Sequence, residues 1–109
     1  IGTDASGLLA VGSTGTGINL YAGGNNNTFG GSSFGQGNVI IGSSGAGIAL
    51  SSVTGNSITG NSIGVAADGS TIIGNGGAGI SITNTSSSNT LLQNQIAGNG
   101  GLGIDLGDN

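Results

Sequence analysis

Apolar residues recur along the chain in short phrases that repeat one after another. The first phrase, Gly-x-Gly-Ile-x-apolar, occurs four times, as GTGINL, GAGIAL, GAGISI and GLGIDL. Its central isoleucines are spaced by 30, 32 and 24 residues and are Ile18, Ile48, Ile80 and Ile104. Apolar and small residues alternate within each phrase with a period of two, which is the period of a β-strand and not of a helix. The phrase therefore predicts one short strand per repeat.

A second phrase, asparagine followed two residues later by an apolar residue, occurs twice in each interval. The first copies pair Asn27 with Phe29, Asn56 with Ile58, and Asn89 with Leu91. The second copies pair Asn38 with Ile40, Asn61 with Ile63, and Asn94 with Ile96. Each repeat is therefore predicted to contain three short strands, separated by turns rich in Gly, Asn and Ser.

The distances between the phrases define a repeated unit of about 24 residues with two insertions. The insertions are GSSFGQ, near residues 31–36, and GVAADGSTI, near residues 64–72. The stretches IIGSSGAGI (40–48) and IIGNGGAGI (72–80) are almost identical, which supports the repeat. Units of three strands that stack in register form a solenoid. We therefore predict an all-β fold, a parallel β-helix of between three and four coils, in which residues 1–109 form a single segment.

Stacking places equivalent residues of successive coils about 4.8 Å apart. We expect three internal apolar columns, formed by the central isoleucines and by the apolar residues of the two asparagine phrases, with Ile1 beginning the third column. The asparagines would form ladders in which side-chain amides bond along the column. A simple preference of asparagine for turns is the alternative explanation. Under both explanations the asparagines are structural and not catalytic.

The composition excludes most kinds of chemistry. The chain has no Lys, Arg, His, Cys or Met, and its net charge of −4 comes from Asp4, Asp68, Asp105 and Asp108. Without cations it is not expected to bind nucleic acid through phosphates or to be attracted to anionic lipid, and no apolar run is long enough for membrane insertion. Imidazole and thiolate, the usual transition-metal ligands, are absent. We expect no cofactor, with calcium at Asp105 and Asp108 as a minor alternative.

These motifs resemble those of bacterial secreted and cell-surface right-handed parallel β-helix repeat proteins. The resemblance rests on IGTDASG (1–7), GNVIIGSSGAGIAL (37–50), NSITGNSIGVAADGS (56–70) and GNGGLGIDLGDN (98–109). It covers nearly the whole chain and implies right-handed winding and an extracellular or cell-surface location.

The resemblance also bears on catalysis. Similar β-helix enzymes that cleave or epimerise acidic polysaccharides carry carboxylates, often bridged by calcium, and a basic residue on the outer face of one sheet. The corresponding outward column here would be Asn19, Ala49, Ser81 and Asp105. Glycoside hydrolysis needs two carboxylates, whereas this column has one carboxylate and no base. We therefore predict that the chain is not an enzyme.

The ends of the predicted column suggest its function. An uncapped solenoid exposes apolar core and unpaired strand edges, and the sequence predicts no amphipathic helix as a cap. We expect either continuation of a longer solenoid or head-to-tail self-association into a homopolymer. The predicted role is a structural extracellular β-solenoid of a fibre, stalk or matrix filament.

The alternative role is a passive adhesin or polysaccharide-binding segment of a large bacterial surface protein. It depends on exposed aromatic rings, of which Tyr21 is one candidate, while Phe29 is expected in the core and Phe34 in the first insertion. Asn26 and Asn84 lie in glycosylation sequons, and a host that modifies such sites could attach glycans there.

Overall fold

The computed structural model describes residues 1–107, and its regular elements are ten short β-strands. In chain order they are β1 (Ile18–Leu20), β2 (Thr28–Gly30), β3 (Val39–Ile40), β4 (Ile48–Ser51), β5 (Ser57–Thr59), β6 (Ser62–Ile63), β7 (Ile80–Thr83), β8 (Thr90–Leu92), β9 (Gln95–Ile96) and β10 (Ile104–Asp105). Residues 1–107 contain no helix with the length and hydropathy that crossing a membrane requires.

The strands form three parallel sheets that the chain visits in rotation. The first sheet has the order β1-β4-β7-β10, the second β2-β5-β8 and the third β3-β6-β9. Each complete coil therefore contributes one strand to each sheet, with β10 beginning a fourth coil, and the predicted parallel β-helix is confirmed.

The strand register confirms the three predicted apolar columns. In the first sheet, Ile18, Ile48, Ile80 and Ile104 are consecutive partners. The second sheet pairs Phe29, Ile58 and Leu91, and the third pairs Ile40, Ile63 and Ile96. Ile1 begins the third column, since its carbonyl oxygen accepts a hydrogen bond from the N–H of Ile41 at 3.1 Å. Equivalent side chains stack because the parallel pairing places the same position of each coil above its predecessor.

The core lies inside the middle coils. Ile48, Ile58 and Ile63 have no exposed surface, whereas Ile104, at the end of the first column, is 45% exposed. An inward side chain is fully covered only when a further coil lies on each side of it. Burial therefore falls from the middle of the column toward both ends.

Both predicted insertions leave the path of the coils, although Val65 and Ala66 at the start of the second are fully buried. The first is a loop between β2 and β3, in which the side-chain oxygen of Gln36 accepts a hydrogen bond from the Ser33 N–H at 3.1 Å. The second forms a hairpin, named hairpin 2 and spanning residues 64–73, with an antiparallel bridge between Val65 and Ile72. The insertion thus has short antiparallel pairing of its own.

An equivalent hairpin near the start of the chain was missed by the sequence prediction. Hairpin 1 spans residues 2–11 and has an antiparallel bridge between Thr3 and Ala10. Its N–H of Asp4 donates to the Leu9 carbonyl at 3.0 Å. The stretch IGTDASGLLAVGS (1–13) has the same length as IGVAADGSTIIGN (63–75), but few letters match, because backbone hydrogen bonds form both hairpins.

Candidate functional site: corner ladders, hairpins and open ends

The first predicted asparagine ladder is present at the corner between the first and second sheets. The side-chain oxygen of Asn56 accepts hydrogen bonds from the backbone N–H and the side-chain amide of Asn27, at 2.9 and 3.1 Å. The Asn56 amide donates in turn to the side-chain oxygen of Asn89 at 3.0 Å. Asparagine favours turns partly because it tolerates a left-handed backbone with positive φ. Among the described residues the non-glycine residues with positive φ include Asn26 and Asn84, but none of the ladder asparagines. A turn preference alone therefore does not explain the ladder asparagines.

The second predicted ladder, at the next corner, has the same geometry and is more deeply buried at its centre. Asn61 is 1% exposed, and its oxygen accepts from the N–H and the side-chain amide of Asn38, both at 3.0 Å. The Asn61 amide donates to Asn94 at 3.1 Å and to the carbonyls of Phe29 and Thr59 at 3.0 and 3.2 Å. Within the described residues every buried polar side-chain atom has a partner. The ladder thus satisfies backbone groups that the tight corner would otherwise leave unpaired.

A third ladder, missed by the sequence prediction, lies at the remaining corner. The Asn75 amide donates to the side-chain oxygen of Asn99 at 2.9 Å, and the Asn75 oxygen accepts from the Ser43 N–H at 3.0 Å. Ser13 and Ser43 extend it through their hydroxyls, 3.2 Å apart. The similarity of IIGSSGAGI to IIGNGGAGI had aligned Ser43 with Asn75. The sequence search missed this ladder for two reasons: two of the coils have serine at the corner, and no apolar residue lies two positions after Asn75 or Asn99.

The outward column of the first sheet has the predicted composition. Asn19, Ala49, Ser81 and Asp105 are register partners in successive coils. No pocket opens on residues 1–107, and no three His, Cys, Asp or Glu side chains of that stretch lie together. Asp108, the second proposed calcium ligand, lies outside the described residues. That the chain is not an enzyme stays a prediction.

Asp68 organises the turn of hairpin 2. Its carboxylate accepts hydrogen bonds from the N–H groups of Ser70 and Thr71 at 2.9 and 2.8 Å, and from the Thr71 hydroxyl. These hydrogen bonds, that from the Thr71 hydroxyl first, lower the pKa of Asp68 from 3.8 to about 2. The pKa of Asp4 in hairpin 1 is also lowered, chiefly by the Ser6 hydroxyl. Both carboxylates therefore serve their own turns.

The lowered pKa of Asp68 predicts a pH dependence for hairpin 2. The carboxylate stabilises the folded turn fully above its unfolded pKa of 3.8, and this stabilisation is lost as the pH falls through about 2. An NMR titration should give a pKa near 2 for Asp68, with faster hydrogen exchange of the Thr71 amide below it. In Asp68→Asn the protection of the Thr71 amide, measured relative to the exchange rate of a free peptide at the same pH, should not change on acidification. A titration midpoint at the ordinary value for aspartate would contradict the prediction.

The remaining candidate groups lie on the surface. Tyr21 is 69% exposed and Phe34 is fully exposed, while Phe29 packs against the core, as predicted. Tyr21 directly follows β1, and Phe34 lies in the loop between β2 and β3. Both rings therefore belong to the coil that β1, β2 and β3 form. The sequon residues Asn26 and Asn84 both have left-handed backbone, and the Asn84 amide donates to the Ser51 hydroxyl at 2.6 Å.

Exposed large apolar residues concentrate at the two ends of the column. Those near the first coil are Ile1, Leu8, Leu9 and Val11, and those in the last coil are Leu92, Leu102, Ile104 and Leu106. Among the described strands, β1 pairs with β4 alone and β10 with β7 alone, so each has one unpaired edge. Both ends therefore present apolar side chains beside unpaired backbone groups.

The repeated coils and their registers agree with a comparison to known families. Residues 9–109 match the family described as periplasmic copper-binding protein (NosD). The chain belongs to the NosD family. NosD proteins fall within the parallel β-helix repeat superfamily, which agrees with the fold and, at the level of that superfamily, with the predicted resemblance. No curated protein and no solved structure matches the chain at the significance required.

The NosD match corrects the cofactor prediction. We expected no cofactor, with calcium as a minor alternative, but the family description names copper, so that expectation is wrong at the level of the family. The side chains of this NosD chain do not themselves fit a copper site. Copper centres use His, Cys and Met ligands, which the sequence lacks, and the carboxylates of residues 1–107 do not form a cluster.

Proposed function

We propose that the chain is a rigid segment of an exported β-solenoid that is extended end to end by further coils, as part of a fibre, stalk or matrix filament. The observation that carries this proposal is the state of the two ends, where β1 and β10 have unpaired edges and large apolar residues are exposed. The periplasmic location in the NosD description supports export. An extracellular or cell-surface location is part of the proposal.

Two physical reasons favour covering these ends with further coils over leaving them exposed to solvent. A free strand edge is a template for pairing with another strand, and strand addition supplies backbone hydrogen bonds. The two ends differ from each other, so a contact between them is heterologous and continues without closing. Each added coil would cover Ile104 or Ile1 in the way that inner coils cover Ile48.

Electron microscopy of the purified chain tests the proposal. We expect uniform filaments whose axial repeat is a multiple of the coil spacing of about 4.8 Å. Addition of monomer to filament ends should raise the scattering of light with time. Short monodisperse rods at all concentrations would contradict self-association.

A polysaccharide-binding segment is the second candidate, because Tyr21 and Phe34 place two exposed aromatic rings on one coil. Sugars bind on such rings through their apolar faces. Short rods that retain glycans on an affinity matrix, and lose them in Tyr21→Ala, would favour this role over filament assembly. Equal retention of glycans by Tyr21→Ala would contradict a binding role for this ring.

A further inference from the structure

Hairpins 1 and 2 have the same backbone arrangement. In hairpin 1 the Gly7 N–H donates to the Asp4 carbonyl at 3.1 Å, and in hairpin 2 the Gly69 N–H donates to the Ala66 carbonyl at 2.9 Å. Gly7 and Gly69 have φ values of 73° and 72°. With this alignment Ala5 of hairpin 1 corresponds to Ala67 of hairpin 2.

The hairpins occur on every second coil. They follow Ile1 and Ile63, whereas Ile40 and Ile96 lead directly to the corner residues Ser43 and Asn99. Each hairpin lies against the hairpin-free coil that follows it. A Cβ on Gly42 would lie 3.0 Å from the Ala10 Cβ, and a Cβ on Gly98 would lie 2.0 Å from Ile72 Cγ2. Hairpin-bearing and hairpin-free coils therefore alternate, and the hairpin-free coils have glycine at the contact.

The two hairpins contact each other across the intervening coil. The Ala67 N–H donates to the Gly7 carbonyl at 2.9 Å. A Cβ on Gly7 would lie 2.7 Å from the Ala67 Cβ, so the contact needs glycine on one side and a small residue on the other. The hairpins thus form a lateral contact with a period of two coils.

Each hairpin also has an outer side, which faces away from the other hairpin. The outer side of hairpin 1 carries the counterpart of Ala67, and the outer side of hairpin 2 carries the counterpart of Gly7. Ala5, the counterpart of Ala67, is exposed, and its N–H has no hydrogen-bond partner among the described residues. A Cβ on Gly69, the counterpart of Gly7, would have no heavy atom of those residues within 4 Å. The Gly69 carbonyl accepts from the Gln95 side chain at 3.0 Å, and a carbonyl oxygen can accept a second hydrogen bond.

We propose that Gly69 of one copy and Ala5 of a second copy form the docking contact that sets the register of head-to-tail assembly. This inference rests on the proposed end-to-end function. The second copy would place its Ile1 directly after Ile96, and its Ala5 N–H would donate to the Gly69 carbonyl as Ala67 donates to that of Gly7. The contact continues an interface that already exists within the chain.

The hairpins supply information that the apolar columns lack. Similar residues occupy each position of a column, so a docking copy could slip by one coil and still bury its isoleucines. Alternating hairpins allow only shifts by two coils. In the proposed joint the first and third sheets continue, while the second sheet, with one strand fewer than the first, has an open strand position after Leu91. The hairpin contact therefore carries much of the specificity of the joint.

Cysteine cross-linking tests this contact directly, because the chain contains no native cysteine. Ala5→Cys protein is mixed with Ser70→Cys protein that carries a size tag, and a short bifunctional thiol reagent is added. Ser70 is exposed and directly follows Gly69, so the glycine stays at the close contact, and we expect a cross-linked dimer of mixed size. Ser32→Cys, at an exposed position in the first loop, replaces Ala5→Cys in the control and should give none.

A bulky substitution gives a second test. Ala5→Leu is exposed in the single chain and should leave its circular dichroism and melting temperature unchanged, but it should raise the concentration needed for filaments about tenfold. Ser32→Leu should not. Filaments that form normally from Ala5→Leu, together with no mixed dimer from the cysteine pair, would overturn this contact while leaving end-to-end assembly intact. Wild-type chains that remain monomeric, together with no mixed dimer from the cysteine pair, would overturn both the contact and self-association, and would leave coils of a longer polypeptide as the occupant of the ends.

Discussion

Replacing Asn61 by alanine is expected to lower the free energy of unfolding by about 3 kcal/mol. Asn61 is buried at the centre of its ladder, and its side chain bonds to the backbone N–H of Asn38 and to the carbonyls of Phe29 and Thr59. Alanine would remove these hydrogen bonds at the corner, and a buried polar group that loses its partner bears its full desolvation cost. Chains of this size have a total stability of about 5–15 kcal/mol, so the loss would be a large fraction.

Asn38→Ala is the matched control for this substitution. Asn38 lies at the exposed end of the same ladder, and its side chain donates one hydrogen bond, to Asn61. Its loss should cost about 1 kcal/mol or less. Urea unfolding followed by circular dichroism measures both variants. Equal losses from Asn61→Ala and Asn38→Ala would contradict the role of the ladder in satisfying buried backbone groups.

Replacing Ile48 by alanine is expected to cost about 3–4 kcal/mol. Ile48 has no exposed surface and lies in the first column between Ile18 and Ile80. Its removal would lose apolar burial and leave a cavity between two stacked side chains that are held in place by sheet hydrogen bonds. The backbone on either side has little freedom to close that cavity.

Ile104→Ala isolates the contribution of position in the column. Ile104 occupies the same site of the repeat but is 45% exposed at the end, so alanine there should cost about 1 kcal/mol. Thermal and urea unfolding of the monomeric protein measure the difference. In assembled filaments the two substitutions should become more alike, because an added coil would cover Ile104. A small effect of Ile48→Ala in the monomer would contradict the stacked core.

Several features of the chain are consistent with the proposed scaffold role. The backbone groups at its corners are satisfied by side-chain ladders, and the ladders repeat with the coils. Asp4 and Asp68 are engaged in their own turns. The two column ends and the outer sides of the hairpins are exposed in the described residues, and under our proposal another β-helix coil covers them.

The sequence alone determined the number of strands in each coil, the three apolar columns and two of the asparagine ladders. These features are readable because parallel in-register stacking sets equivalent residues against each other, so the same letter is favoured at the same position of every coil. Ile48 lies between Ile18 and Ile80 for this reason, and Asn56 lies between Asn27 and Asn89.

Only the tertiary structure decided the third ladder, hairpin 1 and the contact between the hairpins. At the third corner the serine hydroxyls of two coils take part in the same ladder as the asparagine amides of the others, so no single letter marks the position. Hairpin 1 and the bond from Ala67 to Gly7 use backbone N–H and C=O groups. Nearly every residue carries these groups, and therefore the contacts they make depend on where the coils bring the backbone together and not on which residues are there.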